Sequence, residues 1–502
     1  MYASLTLAAA SATRDSVRCS VTTESLTSRL APCAKLPTLA SLSAVAASGS
    51  WKLGVDDTTA GARQSMMGFG AAWTDATVTV FDSLDVSAQD ELLEQLFGET
   101  GIRLAVMRHT IGQSDLTPSA LGRWSFDEAG GSPDPNLTQF NLTDPGRRML
   151  GWLKRMHAKN SDVTLFGSPW SPPGWMKQDN TLQTKYIDAW VEYMLRYLRE
   201  YREAGVHVSA VTPQNEPLHS ADPAWTMSLD KTYQALLVKK LGAALRSAGE
   251  ETAIWVFDHN TDHPEVPQYI LDNAGEFVGG VAWHCYGAFL FGDSWAPMSK
   301  FHTQNPTVPQ FMTECWTHLD SGEGFFDLPS FIGSPVRNYG QAALAWTLGG
   351  SVDYDVSYPG GCGQCSGIVQ VNMSDGSAHL TQDYYSLGQF SKFVERNATY
   401  HTSNGSYIYH DNTGVQATAF VNPDGARVVV IENKIHDDLD MQVSFGSGDV
   451  WVGQTPARSI STWVLPPKHD GNAVYEAFQH ATYGPPAAGS LHDALMVEAR
   501  RQ

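Results

Sequence analysis

A chain of 502 residues runs longer than one compact domain usually does, so one large unit with a smaller companion is expected. Its 42% apolar and 17% charged residues are those of a folded soluble protein, and 11% aromatic residues leave rings for stacking surfaces, of which sugar binding is one use. With 33 Lys and Arg against 53 Asp and Glu, a formal charge of -20 repels phosphate backbones and anionic lipid, which excludes nucleic acid as an expected partner, and no run of about 18 apolar residues is present to enter a membrane.

Residues 1–12, MYASLTLAAASA, read as a short secretory signal ending in an Ala-Ser-Ala cleavage motif, although no Lys or Arg precedes the apolar run. Residues 13–33 read as an irregular segment, and 34–64 as strands that join a β-domain formed later in the chain. Sequons at Asn136, Asn141, Asn372, Asn397 and Asn404 and an even count of six cysteines fit a secreted, extracellular glycoprotein. Cys362 and Cys365, in GGCGQCSG, are disulfide candidates, because a lone CxxC lacks the second ligand pair of a zinc site. Cys19 with Cys33 and Cys285 with Cys315 are further pairings that the count allows.

From 65 to 385, short apolar runs that end in polar clusters alternate with longer amphipathic segments, the pattern of repeated β-α units. The runs are MGFGAAW, LAVMRHT, VTLFGSPW, VSAVTPQNEP, AIWVFDHN, GVAWHCYG, PQFMTECW and AALAWTL. Eight such runs predict an α/β fold, a closed (β/α)8 TIM barrel whose active site lies at the C-terminal ends of its strands. The clearest helix is 184–204, with Tyr186, Trp190, Tyr193, Met194, Tyr197, Leu198 and Tyr201 at helical spacing and Gly205 as its stop. A second spans about 231–248 and stops at Gly249. From 386 to 466 the texture becomes alternating: VQATAFV, the turn NPDG at 422–425 and ARVVVIEN form a hairpin, and MQVSF and SISTWVL follow, together predicting a β-sandwich. The tail 467–502 has no such pattern.

The segment TPQNEP puts Asn215 and Glu216 at the mouth of the fourth run, and FMTECW puts Glu314 at the mouth of the seventh. Two carboxylates facing across one barrel are what a retaining glycosidase needs: one protonates the leaving oxygen, the other attacks the anomeric carbon. Their environments should keep Glu216 protonated and Glu314 ionised. Either glutamate alone would more simply pair with an Arg at a strand end. The histidines form no sequence motif of the HExxH kind, no glycine fingerprint for a nucleotide is present, and the chemistry requires neither a metal nor an organic cofactor.

The segments GFGAAWTDA (68–76), RHTIGQSDL (108–116), SPWSPPGWMK (168–177), TPQNEP, AWHCYG (282–287) and TECW (313–316) together resemble glycoside hydrolase family 30, which includes glucosylceramidase and fungal endo-β-1,6-glucanases. The resemblance implies a retaining mechanism in a barrel with an attached β-sandwich side domain, with Glu216 as acid/base and Glu314 as nucleophile. It also implies that Asn215 binds the sugar 2-hydroxyl, that Asp115 and Trp170 hold the non-reducing sugar, that His284 and Tyr286 line the site near the nucleophile, and that Trp346 floors the subsite. Arg108 and Asp75 are expected in the polar scaffold beneath. Without those motifs, Trp170 and Trp346 would read as core aromatics, His284 as a satisfied interior histidine and Asp115 as a turn cap.

WVFDHNTDHPEVPQYIL (255–271), FHTQNPTVPQFMTECW (301–316) and the GGCGQC loop look more like the β-1,6-glucanase branch than the glucosylceramidase branch. The expected partner is accordingly a polysaccharide or oligosaccharide of the pustulan or fungal cell-wall type, acted on by a monomer that does not insert in membranes. The alternatives are a glucosylceramidase-like activity, an exo-acting enzyme that releases gentiobiose, a β-xylanase or galactanase of the same family, and, in another class, a non-catalytic carbohydrate-binding protein. The segments 122–145 and 287–299 are candidate walls of the cleft.

Overall fold

A computed structural model describes residues 16–40, 49–219, 222–287, 295–316, 324–409, 413–468 and 483–485. The expected signal (1–12) and nearly all of the tail (467–502) lie outside the described residues, as does 288–294 of one candidate wall. Two compact units emerge, Gln64–Arg396 on the one hand and Met1–Arg63 with Asn397–Gln502 on the other. The first runs past 385, because helix Gln382–Ser391 belongs to it rather than to the β-domain.

In the larger unit, β1 (Gly68–Trp73), β2 (Val106–Thr110), β3 (Thr164–Ser168), β4 (Ala210–Val211), β5 (Ala253–Asn260), β6 (Val278–His284), β7 (Gln310–Trp316) and β8 (Gly340–Trp346) close a barrel in sequence order. All paired barrel neighbours are parallel, and each of the eight sequence runs overlaps one strand. The interior is packed by a few large rings set among small residues: Phe166, Trp255 and Phe311 among Ala210, Ala282 and Ala342. Trp255 stacks on Phe311 at 4.0 Å between centroids and meets Phe166 at 4.7 Å. Gly280 permits this, since a Cβ there would stand 2.6 Å from the Phe311 ring.

The outer helices follow their apolar stripes. Ile187–Glu203 buries Trp190, Tyr193, Met194, Tyr197 and Tyr201 on its inner face, and Gly205 follows with a φ of 86°. Lys231–Ala248 is capped by the Asp230 carboxylate, which accepts the Tyr233 N–H at 2.9 Å, and stops at Gly249 with φ 68°.

The smaller unit contains two sheets of antiparallel and mixed strands. Gly414–Val421 and Arg427–Asn433 form the expected hairpin around 422–425, closed by the Asn422 N–H donating to the Ala426 carbonyl at 2.8 Å. The segment 13–33, read as irregular, instead contains the strand Arg18–Thr23, which pairs antiparallel with Ser459–Leu465. Its RCSVTT sequence is short and its partner lies at the far end of the chain, so no local pattern announces it. Trp51–Val55 pairs parallel with Leu439–Phe445, and Trp51, Leu53, Val429, Ile431, Val443 and Trp463 fill the core between the sheets. A disulfide joins Cys19 to Cys33 here, and another joins Cys362 to Cys365 in the barrel unit. Cys285 and Cys315 are buried free thiols, in side-chain contact but unbonded.

Candidate functional site

A cavity of about 440 Å³ opens at the C-terminal ends of the barrel strands and is lined by Asp115, Trp170, Asn215, Glu216, Tyr286, Glu314 and Trp346, among others. These seven were expected there; Arg108, expected in the scaffold beneath, and His284, expected in the lining, are both fully buried below them. Asp75 does not join them. As the first residue of helix Asp75–Asp82, its carboxylate turns to Thr117 Oγ1 at 2.6 Å and Trp124 Nε1 at 2.9 Å, bracing the loop that carries Asp115. Burial raises Asp75 to about 6 despite those donors.

Arg108, on β2, organises the floor. Its guanidinium donates to a Glu314 carboxylate oxygen, to Asn215 Oδ1 at 2.7 Å, to Asp258 Oδ2 at 2.7 Å and to Ser168 Oγ at 3.2 Å. Because guanidinium only donates, the Asn215 oxygen must face it, which turns the Asn215 amide nitrogen away from Arg108. Tyr286 donates its hydroxyl to Glu314 Oε1 at 2.8 Å. The nucleophile candidate is thus a carboxylate held by two donors from below and beside.

Glu216 follows β4 in the left-handed region, at φ 43°, and is held there by its N–H bonding the Asp258 carbonyl at 2.9 Å. His284 Nδ1 lies 3.0 Å from Glu216 Oε1 and 3.6 Å from Glu314 Oε1. One imidazole nitrogen therefore reaches both carboxylates, and their facing oxygens are closer than those two distances laid end to end. Two carboxylates facing one another across a shared imidazole are the pair that a glycosidase of the two-carboxylate kind requires.

Asp258 is the member that sequence reasoning missed. It is wholly buried, and besides Arg108 it accepts from Ser168 Oγ at 2.9 Å, Thr212 Oγ1 at 2.8 Å and Thr313 Oγ1 at 2.7 Å, while its Oδ1 lies 3.0 Å from His284 Nε2. A register shift in β5 and φ values of 78° at Phe257 and 55° at Asp258 turn this carboxylate into the barrel and leave His259 on the cavity wall. The signal was present: AIWVFDHN, like the other runs, turns polar at its mouth.

The charges are arranged around His284. Burial alone would lower it, but the charge of Glu314 and its bonds to Asp258 and Glu216 lift it from 6.5 to about 10. Glu216 responds in the opposite sense: burial would raise it, yet His259 and His284 standing beside its carboxylate hold it below the usual carboxylate range. This runs opposite to the expectation of a protonated Glu216: the same balance that lowers its carboxyl raises the adjoining imidazole, so the shared proton favours His284. Burial also raises Asp258, but Arg108 and His284 outweigh it and keep the group well below its ordinary range.

Since the folded-state value of His284 lies above its ordinary one, its stabilisation is complete below pH 6.5 and is lost as pH rises through about 10. Denaturant titrations at stepped pH are expected to show the chain losing stability across that window, and His284→Gln to flatten this loss. An equally steep loss in the variant would contradict the pairing.

Asp115 is pushed up to about 7, first by burial and then by the Glu314 charge. The Cys362–Cys365 loop clamps it. The Tyr358 N–H bonds the Asp115 carbonyl at 2.8 Å and the Cys362 N–H bonds its Oδ2 at 3.3 Å, which leaves Oδ1 buried and unpartnered. Trp170 and Trp346 stack at 5.0 Å and 25°, with the Arg108 guanidinium 4.6 Å from the Trp170 ring. No residue of 122–145 lines the cavity. Gly360, Gly361, Cys362, Cys365, His219 and Trp225 form wall there instead. Glu216, His259 and His284 are also a group able to hold a cation, their ligand atoms all lying within 4.8 Å.

Residues 66–341 match the model described as the glycosyl hydrolase family 30 TIM-barrel domain, and residues 401–463 that of the family's beta sandwich domain. The chain is similar to an endo-1,6-beta-D-glucanase of Aspergillus fumigatus, 40% identical over 439 residues covering 83% of this chain and 88% of the relative. Lysosomal acid glucosylceramidase of Mus musculus is 24% identical over 431 residues, covering 80% of this chain and 81% of that protein. A solved structure of an endo-beta1,6-glucanase superposes on 90% of this chain and 99% of its own with a TM-score of 0.78 at 24% identity, a likeness of fold.

Proposed function

The chain belongs to glycosyl hydrolase family 30, and from that membership and the carboxylates of its barrel mouth we propose a secreted, retaining endo-β-1,6-glucanase acting by double displacement. The observation that carries the proposal is the single imidazole nitrogen of His284 within reach of both Glu216 and Glu314.

Glu314, paired with Arg108 and Tyr286, attacks the anomeric carbon, and the bond to the leaving glycosidic oxygen breaks as Glu216 delivers a proton to it. That proton comes from His284, which Glu216 touches at 3.0 Å, so the two groups act as one acid whose charge Asp258 balances from behind. In the second step water attacks the glycosyl–Glu314 ester, its proton returns to the Glu216–His284 pair and the Glu314 carboxylate is released. Asn215, its oxygen held by Arg108, offers its amide hydrogens to the sugar 2-hydroxyl, while Trp170 and Trp346 present apolar faces to the ring. Asp115 Oδ1 accepts from a sugar hydroxyl.

The preference for β-1,6-glucan rests on the 40% identity to endo-1,6-beta-D-glucanases, against 24% to glucosylceramidase. The sequons and the two disulfides favour secretion. Among the described residues, no helix is long and apolar enough to cross a membrane. Incubation with pustulan should give a ladder of gentio-oligosaccharides. Cleavage of another β-glucoside with pustulan left intact would sink the substrate assignment, and gentiobiose as sole product would replace internal cutting by chain-end cutting.

The clamp on Asp115 makes a further prediction. The double variant Cys362→Ser/Cys365→Ser, or wild type under dithiothreitol, is expected to raise KM for gentio-oligosaccharides about tenfold with a smaller change in kcat, the scale of one hydrogen bond to a charged group. Kinetics indifferent to the disulfide would show that the loop does not position Asp115.

A further inference from the structure

The wall and floor of the cavity bring together two imidazoles and a carboxylate from three different strand ends: Glu216 after β4, His259 on β5 and His284 on β6. His284 Nδ1 is 3.0 Å and His259 Nδ1 3.7 Å from the same oxygen, Glu216 Oε1. Their ligand atoms all lie within 4.8 Å of one another. Two imidazoles with one carboxylate is a donor set suited to zinc-class cations, and a fourth position would open toward the cavity.

Two independent features make this a built arrangement. His259 Nδ1 is buried and makes no hydrogen bond, while its side chain is only 9% exposed, so a polar atom that burial ordinarily requires to be satisfied faces the Glu216 carboxylate at 3.7 Å, beyond hydrogen-bond reach. Behind His284, Asp258 Oδ1 stands 3.0 Å from Nε2 and is itself held by Thr313 at 2.7 Å. That is the carboxylate–histidine relay which fixes a metal-bound imidazole, with Nε2–H donating to the carboxylate and Nδ1 able to bind the ion once its proton is displaced. Glu216 is anchored by its backbone bond to Asp258, so the oxygen shared by both histidines is pre-positioned.

We propose that Glu216, His259 and His284 form a site for a zinc-class divalent cation whose occupancy stops glycoside cleavage. Binding is an exchange without redox change: the cation takes the Nδ1 lone pair of His284, the proton there leaves to solvent, and Glu216 and His259 complete the protein ligands. Bonds of about 2.0–2.1 Å draw His259 inward from the cavity wall. Glu216 then has no proton to deliver and the ion fills space the sugar would occupy. The inhibition rests on the proposed hydrolase function, whereas the binding does not.

Calorimetric titration of the full chain with zinc chloride, near neutral pH, tests the site without any turnover. One zinc per chain is expected, displaced by EDTA and weakened by excess gentiobiose. His259→Gln and Glu216→Gln should each weaken binding about tenfold or more, while Glu314→Gln, which keeps all three ligands, should bind zinc nearly as wild type does. Absence of saturable binding up to roughly 1 mM zinc, or an affinity untouched by both ligand variants, overturns the site. Pustulan hydrolysis that continues at saturating zinc overturns the inhibitory part. Zinc binding with the expected ligand dependence in a protein that does not cleave pustulan supports the site and places the failure with the proposed substrate.

Discussion

Glu314→Gln is expected to lower kcat on pustulan by on the order of 10⁴-fold or more, the scale seen when the covalent step itself is removed. The amide keeps the side chain's volume and still accepts from the Tyr286 hydroxyl, but it cannot displace a glycosidic oxygen. Sugar binding should persist, because Asn215, Asp115, Trp170 and Trp346 are untouched, and calorimetry with gentiobiose on the inactive variant checks this. Activity equal to that of wild type would refute the assignment of Glu314 as nucleophile. Lost activity together with lost sugar binding would mean that the substitution had disturbed the cavity. The same measurement separates an enzyme from a carbohydrate-binding protein that retained the barrel.

Arg108→Met should cost about 3–5 kcal/mol of stability, the penalty for leaving a buried charge without its partner. The guanidinium is inaccessible and serves Glu314, Asp258, Asn215 and Ser168 at once. Methionine fills much of the volume and none of the hydrogen bonds. Arg108→Lys should not rescue the site, since three ammonium donors on a single nitrogen cannot reach four acceptors spread around a planar fork. Chemical denaturation of both variants against wild type checks the expectation, and a loss below about 1 kcal/mol would show that the buried carboxylates are satisfied without Arg108.

The barrel is legible in the sequence because each strand ends at a polar or aromatic mouth, a rule that holds even for β4, where only Ala210–Val211 is extended but TPQNEP follows. The same rule pointed at Asp258 and His259 in AIWVFDHN, yet those residues read as the continuation of a strand. Only the positive φ at Phe257 and Asp258 turns the acid inward, and no residue there is a glycine that would have announced it. Asp75 was drawn toward the site by its neighbours in GFGAAWTDA, but which way the first residue of a helix faces depends on Thr117 and Trp124, brought near by folding. The protonation of the pair was illegible for a similar reason. It depends on His284 lying between Glu216, Glu314 and Asp258, a juxtaposition of four strand ends. The sandwich strand Arg18–Thr23 was missed because its order comes from Ser459–Leu465 rather than from its own pattern. The strand Val450–Thr455, paired between Leu439–Phe445 and Thr38–Leu39, was also missed. In it Gly453 breaks the alternation because a Cβ would stand 2.8 Å from the Trp463 ring.

The Glu216–Glu314 pair acting with retention on a β-1,6 linkage is tested most directly by following pustulan hydrolysis by proton NMR from the first minutes, before the new reducing ends mutarotate. The β-anomer should appear first and the α-anomer only later. The α-anomer appearing first would contradict double displacement through Glu314.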